Sequence, residues 1–321
     1  MTVLAILNPQ SLLGEEIKQE LGRRKGLSSE VRLLATEPDQ IGAVTDLGGV
    51  AALVQECTAE SLDGVDLAIL LPGGEDSTPD PATLSSASTL LVVDPPQPWE
   101  DATPIVTGLD PAADRDGASK VLLSPSPIVI LLAHLLRPLK ELGPADVFAQ
   151  VLMPASSRDQ AGLDELFEQT RSILAMRDDK PTAVFGKQIA FNLLPGDADT
   201  SGYLRHLEVL LGAETRVAVQ IVQAGVFHSL ACSLMVSFEE DPGISALEEA
   251  LAAHPWIELA EKDSRPGPTD AAAREEILVA DLRPSPSRPG SYQLWAVMDN
   301  LTRGGASNVV EVVEGLFAFA S

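Results

Sequence analysis

The sequence predicts an α/β protein: a doubly wound, Rossmann-like parallel sheet over residues 1 to about 125, followed by an α+β domain. Two observations carry that expectation. In the first 125 residues nearly continuous apolar runs alternate with helical spacings, as in a parallel sheet covered on both faces. Beyond them come longer runs with two-residue alternation, set between helices, as in antiparallel strands that bury one face.

Taken in order, TVLAIL (2–7) is a β-rich run, and SLLGEEIKQELGRR (11–24) has helical spacing with Leu13, Ile17 and Leu21 on one face. VRLLAT (31–36), DLAILL (66–71) and TLLVVD (89–94) read as the second, third and fourth strands. IVILLAHLLRPLKEL (128–142) is an apolar helix, DVFAQVLMPAS (146–156) a strand and GLDELFEQTRSILAM (162–176) a helix. RVAVQIVQAG (216–225) and VFHSLACSLMVSFEE (226–240) are long alternating strands, and ISALEEALAAHP (244–255) is a helix. EILVADLRPS (276–285) and YQLWAVMDN (292–300) are strands, and TRGGASNVVEVVEGLFAF (302–319) closes the chain as an amphipathic helix. The Pro/Gly-rich stretches KDSRPGPTD (262–270) and RPSPSRPGS (283–291) are surface loops, the second inside a hairpin. There is no internal repeat.

Composition removes several function classes. The formal net charge is −25 over 321 residues, which opposes binding to a nucleic-acid backbone or an anionic membrane surface. An acidic surface serves solubility first, and a basic protein partner second. No apolar run reaches membrane-spanning length, and MTVLAILNP lacks the basic flank and cleavage site of a signal peptide. Two cysteines, Cys57 and Cys232, are too few for a disulfide framework or a metal cluster, so the expectation is a cytoplasmic protein without metal.

Four runs, GVDLAILLPGG (64–74), AGLDELFEQT (161–170), QIAFNLLP (188–195) and LWAVMDNLTRGGASN (294–308), resemble aspartate-semialdehyde dehydrogenase, in order and over essentially the whole chain. The resemblance implies a Rossmann-like domain at 1–126 completed by the helix at 302–321, and a dimerising catalytic-type domain at 127–301. It also implies a homodimer, a cysteine nucleophile, a histidine base, an arginine for the substrate carboxylate, and NADP as hydride acceptor with phosphate releasing the acyl group.

Residue by residue, those functions are missing. The family's Asn-Pro-Asn-Cys falls on Ser124-Pro125-Ser126-Pro127, so Pro127 stands at the nucleophile. Proline suits the first turn of a helix, so the local fold is kept while the chemistry goes. Ser126 could replace the thiol only with a base in reach, and no neighbour in sequence supplies one. Gln223 stands at the arginine and Leu230, seven residues on, at the histidine. His134 reads as a packed or interfacial residue. His228 and Cys232, four apart in a strand, would be roughly 13 Å apart and form no dyad; their plainer reading is a packed face of Val226, His228, Leu230, Cys232, Leu234 and Val236.

At the nucleotide turn NPQSLLG, Asn8 and Ser11 replace two glycines, Pro9 lacks an N–H, and Gln10 and Leu12 crowd the phosphate path. Gly14 survives where helix–strand packing needs it. Trp99-Glu100 stands where the family has Phe-Arg for phosphate. Intact at cofactor-side positions of the family are Gly73, Gly74, Asn192, Asp299, Asn300, Arg303 and Gly304; their plainer reading is loop and junction structure.

Three readings follow. The preferred one is a catalytically silent relative resembling the USG-1 group, a dimer with a binding or regulatory role, without cofactor or metal, and with a protein partner as an option. The second is an oxidoreductase using NADP or NAD on an altered substrate. The third is an interaction module whose cleft, with Glu100, Leu230 and Pro127, favours neutral or cationic ligands.

Overall fold

The computed structural model describes residues 2–24, 30–73, 78–95, 99, 102–109, 120–196 and 199–317. The chain divides into two compact units, Met1–Ser126 with Gly305–Ser321, and Pro127–Gly304.

In the first unit β1 (Val3–Leu7), α1 (Leu12–Arg23), β2 (Glu30–Ala35), β3 (Val44–Leu47), β4 (Val50–Glu56) and α2 (Ala59–Leu62) come first. β5 (Leu67–Leu70), α3 (Pro81–Leu84), β6 (Thr89–Val93), β7 (Thr103–Pro104) and β8 (Val121–Ser124) follow. The sheet order is β3-β4-β2-β1-β5-β6-β8-β7, and every pairing is parallel except β3 with β4. Side chains of β1 alternate between two cores. Leu4 and Ile6 join Ile17 and Leu21 of α1 and Val309, Val310 and Val313 of the C-terminal helix (Asn308–Phe317). Ala5 and Leu7 join Leu62, Ala68, Leu84 and Val92 on the other face. Burial on both faces is why these strands are apolar throughout. The strand order reverses at β1, which places the crevice of such a sheet at the carboxyl end of β1.

The sequence-derived four strands of this unit are therefore eight. The missed ribbon β3–β4 turns on Gly48 and Gly49 at φ 60° and 90°. β7 has only two residues, too few for a periodicity signal.

The second unit begins with α4 (Pro127–Lys140), which carries proline at its first position and is buried along Ile128–Leu136. Then come β9 (Ala145–Met153), α5 (Asp159–Leu174), β10 (Leu193–Pro195), α6 (Ser201–Leu211), β11 (Thr215–Ala224) and β12 (Leu230–Phe238). α7 (Ile244–Ala252), β13 (Ile257–Leu259), α8 (Pro268–Ala271), β14 (Ile277–Pro284) and β15 (Ser291–Met298) complete it. The seven-stranded order is β10-β11-β9-β12-β15-β14-β13. Val147, Ala149, Val151, Cys232, Leu234 and Val236 are buried on one face. On the other, Asp146, Phe148, Ala218, Gln220 and Ser233 face out.

Three expectations change here. The long strands are not all antiparallel, because β11 runs parallel to β9 and β13 to β14. β12 starts at Leu230, so His228 lies outside the strand and the packed face runs through Leu230, Cys232, Leu234 and Val236 without Val226 or His228. The segment Thr302–Ser307 is a π-helical turn, and the α-helix begins only at Asn308. Among the described residues no helix is long and apolar enough to cross a membrane.

Candidate functional site

The mouth of α4 is built by backbone chemistry. Pro127 sits at the first helical position, where no intrahelical N–H bond is lost. Gly304 closes over it: a methyl group on Gly304 would stand 3.0 Å from Pro127 Cβ and 2.8 Å from Met298 Cε. The position expected to hold a nucleophile is thus occupied by a packed ring.

Gln223 lies at the end of β11, and its Nε2 donates to the carbonyls of Met153 at 2.9 Å and Pro154 at 3.1 Å. Its amide is spent on fixing the end of β9, and it brings no cation for a carboxylate. Leu230 opens β12 opposite Met298 and is wholly buried. Neither position can move a proton.

The remaining reactive side chains do not replace them. Ser126 Oγ and Ser229 Oγ are buried with no hydrogen-bond partner among the described residues, so neither hydroxyl has a base. Cys232 is completely buried, and burial pushes its thiol up to about 12. Cys57, half-buried, is raised to about 11 by burial and then by Asp80. A nucleophilic cysteine needs the opposite displacement.

Two buried histidines do meet. His134 Nδ1 of α4 lies 3.4 Å from His254 Nε2, just past α7, with the rings edge-on at 76°. The Trp256 N–H donates to His254 Nδ1 at 3.3 Å, which places the proton of a neutral His254 on Nε2, directed at His134 Nδ1. Arg303, fully buried, stacks over Trp256 with 4.1 Å from its guanidinium carbon to the ring. Burial first, then Arg303, hold His254 down to about 4, and the same causes with His254 itself hold His134 well below its ordinary value. Both rings are neutral packing groups at pH 7.

The cofactor-side candidates fall in both units. Asn300 Oδ1 accepts from Ser229 N at 3.0 Å and from Ser156 Oγ at 3.1 Å. Asp299 accepts from Leu301 N and Thr302 N through Oδ1 and from Ala273 N through Oδ2. Asn192 holds its own turn by donating to Gln188 O. Gly73 is exposed after β5, while Gly74 and Glu100 lie outside the described residues. Gly14 packs on the β1–α1 turn so closely that a methyl group would meet Pro9 O at 2.5 Å.

Two further residues inside the run AGLDELFEQT carry structural weight. Glu165 accepts from Val184 N and Phe185 N, and Gln169 Oε1 accepts from Ile189 N and Ala190 N, so α5 carries the loop that leads to QIAFNLLP. Polar residues four apart on an apolar helix face were the available signal.

A Rossmann-like unit and a mixed-sheet α+β unit make this a two-domain α/β protein, with Pro127 and Leu230 where the resemblance places a nucleophile and a base. The chain belongs to the semialdehyde dehydrogenase family: the model for the semialdehyde dehydrogenase dimerisation domain matches residues 136–303. Curated relatives include aspartate-semialdehyde dehydrogenase of Rickettsia bellii, 26% identical over 98% of this chain and 97% of that one. The USG-1 protein homolog of Azotobacter vinelandii is 29% identical over 97% and 96%. Among solved structures, aspartate semialdehyde dehydrogenase II of Vibrio cholerae, complexed with ASA, superposes with a TM-score of 0.89 at 22% identity, covering 99% and 98% of the chains. The Candida albicans enzyme with NADP gives 0.71 at 14% identity, covering 99% and 98%.

Proposed function

We propose that this chain is a catalytically silent homologue of aspartate-semialdehyde dehydrogenase, acting as a cytoplasmic homodimer in a binding or regulatory role. The observation that carries this reading is the joint replacement in the second unit: Pro127 packed under Gly304, Gln223 bonded to backbone carbonyls, and Leu230 wholly buried. Acyl transfer through a thioester needs a nucleophile, a base and a substrate clamp at once. None of these three side chains supplies any of them.

The dimer reading is supported by the matched dimerisation domain and by the open face of the second sheet, where Phe148 is 49% exposed beside Met235. A second copy of that face would cover it isologously.

The test is turnover of aspartate semialdehyde with NADP and phosphate, for the native chain beside a Pro127→Cys, Leu230→His variant. The native chain is expected to give no rate above buffer. An enzyme-like native rate, abolished by changes at Gln223 or Leu230, would overturn the reading in favour of an oxidoreductase with a different mechanism.

A further inference from the structure

We infer that the first unit rejects NADP, the dinucleotide named with a structural relative of this chain, through a β1–α1 turn whose donors at Asn8, Pro9 and Gly14 are absent or engaged within the chain, and through a carboxylate, Glu37, just past β2. The inference concerns binding and does not depend on whether the second unit has lost its chemistry.

The turn supplies the first half of the argument. A dinucleotide pyrophosphate is held by backbone N–H groups at the first turn of α1. Here Pro9 has no N–H, Asn8 is fixed at φ 60° with its Nδ2 donating to Leu71 O at 3.1 Å, and the Asn8 N–H is bonded to Leu34 O. Ser11 caps the helix: its Oγ accepts from Gly14 N at 3.0 Å, so that donor is taken inside the chain. Glu15 then sets a carboxylate in the first helical turn, where the dipole would otherwise favour a phosphate.

The second half is charge. In this fold a carboxylate just past β2 accepts from a ribose 2′-hydroxyl, whereas a 2′-phosphate is received by an arginine. Glu37 lies two residues beyond the last residue of β2, and Gln40 Nε2 holds its carboxylate at 2.7 Å. No compensating cation exists nearby in sequence. Between Arg32 and Arg115 there is no lysine, arginine or histidine, against fifteen aspartates and glutamates. The cations of α1 and β2 are engaged elsewhere: Lys18 with Glu15, Arg23 and Arg24 with Glu20, and Arg32 with Glu30 and the carbonyls of Ser61 and Asp63. Lys120 precedes β8 and so stands at the amino end of the parallel sheet, away from the carboxyl-end crevice.

The test is thermal denaturation of the full chain with millimolar NADP, NAD or neither, repeated on a Pro9→Gly, Glu37→Arg variant whose fold is checked by circular dichroism. The native melting temperature is expected not to move with NADP, and the variant's to rise with it. Any rise in the native melting temperature with NADP overturns the inference. A folded variant that ignores NADP overturns the assignment to these two residues. Where the double variant fails to fold, a Glu37→Arg chain of native stability serves instead: its melting temperature must rise with NADP, and no rise overturns the assignment to Glu37. Turnover with NAD alone would sink the silent-homologue reading and leave this one standing, and NADP binding without turnover would do the reverse.

Discussion

At the residue scale the most informative group is the buried histidine pair, because neutral imidazoles in a closed core tie stability to pH. His254 is held down to about 4 and His134 well below its usual value, both chiefly by burial and then by the Arg303 charge. In the unfolded chain each returns to about 6.5. The unfolded state therefore binds more protons between those values, so the pair's contribution is present above pH 6.5 and is lost as pH falls toward 4. A His134→Leu, His254→Gln chain is expected to lose less stability between pH 7.5 and 5 than the native protein, by about 1 to 2 kcal/mol for His254 alone. Urea midpoints at the two pH values measure this. Parallel pH profiles would show that the pair is not the sensor.

At the element scale, the β3–β4 ribbon shows what the sequence left unread and why. Its turn is Gly48-Gly49 with both φ values positive, and Gly48 meets Gly22 of α1 so closely that a methyl group on Gly48 would stand 2.5 Å from Gly22 Cα. Gly48→Ala must therefore separate α1 from the ribbon, while Gly49→Ala has open space and only the backbone penalty. The expected difference is about 1 to 3 kcal/mol, read as a larger drop in melting temperature for Gly48→Ala. The two-residue Gly-Gly loop is a hairpin signal by itself, but the flanking runs VTDL and VAALVQE are mostly exposed and carry no apolar stripe to mark them as strands. The strands β1, β5 and β6 and the second half of β2 are legible because burial on both faces writes hydrophobicity into nearly every position. Pro127, Gln223 and Leu230 are singled out in the chain by resemblance alone, and their contacts are not legible there. A packed Pro127–Gly304 contact and a Gln223 amide spanning to β9 are set by pairing between distant segments.

At the scale of the whole molecule, charge and the open sheet face act against each other. Each chain carries a formal −25, so a homodimer carries twice that, and repulsion between copies grows as salt is removed. Opposing it is the face around Phe148, with Met235 and Ala218 as cross-strand neighbours and the Gln150–Gln220 side-chain hydrogen bond beside them. A buried aromatic anchor is worth about 2 kcal/mol or more, and an isologous contact counts it twice. Phe148→Glu is then expected to weaken the dimer about a thousandfold or more, since each 1.4 kcal/mol is a factor of ten, and to add like charge at the contact itself. Light scattering behind size exclusion should give a native dimer that tightens with rising salt, and a Phe148→Glu monomer with an unchanged circular dichroism spectrum. A dimer that survives the substitution would place the contact on another surface, and a native monomer at every salt concentration would remove the homodimer from the proposed function.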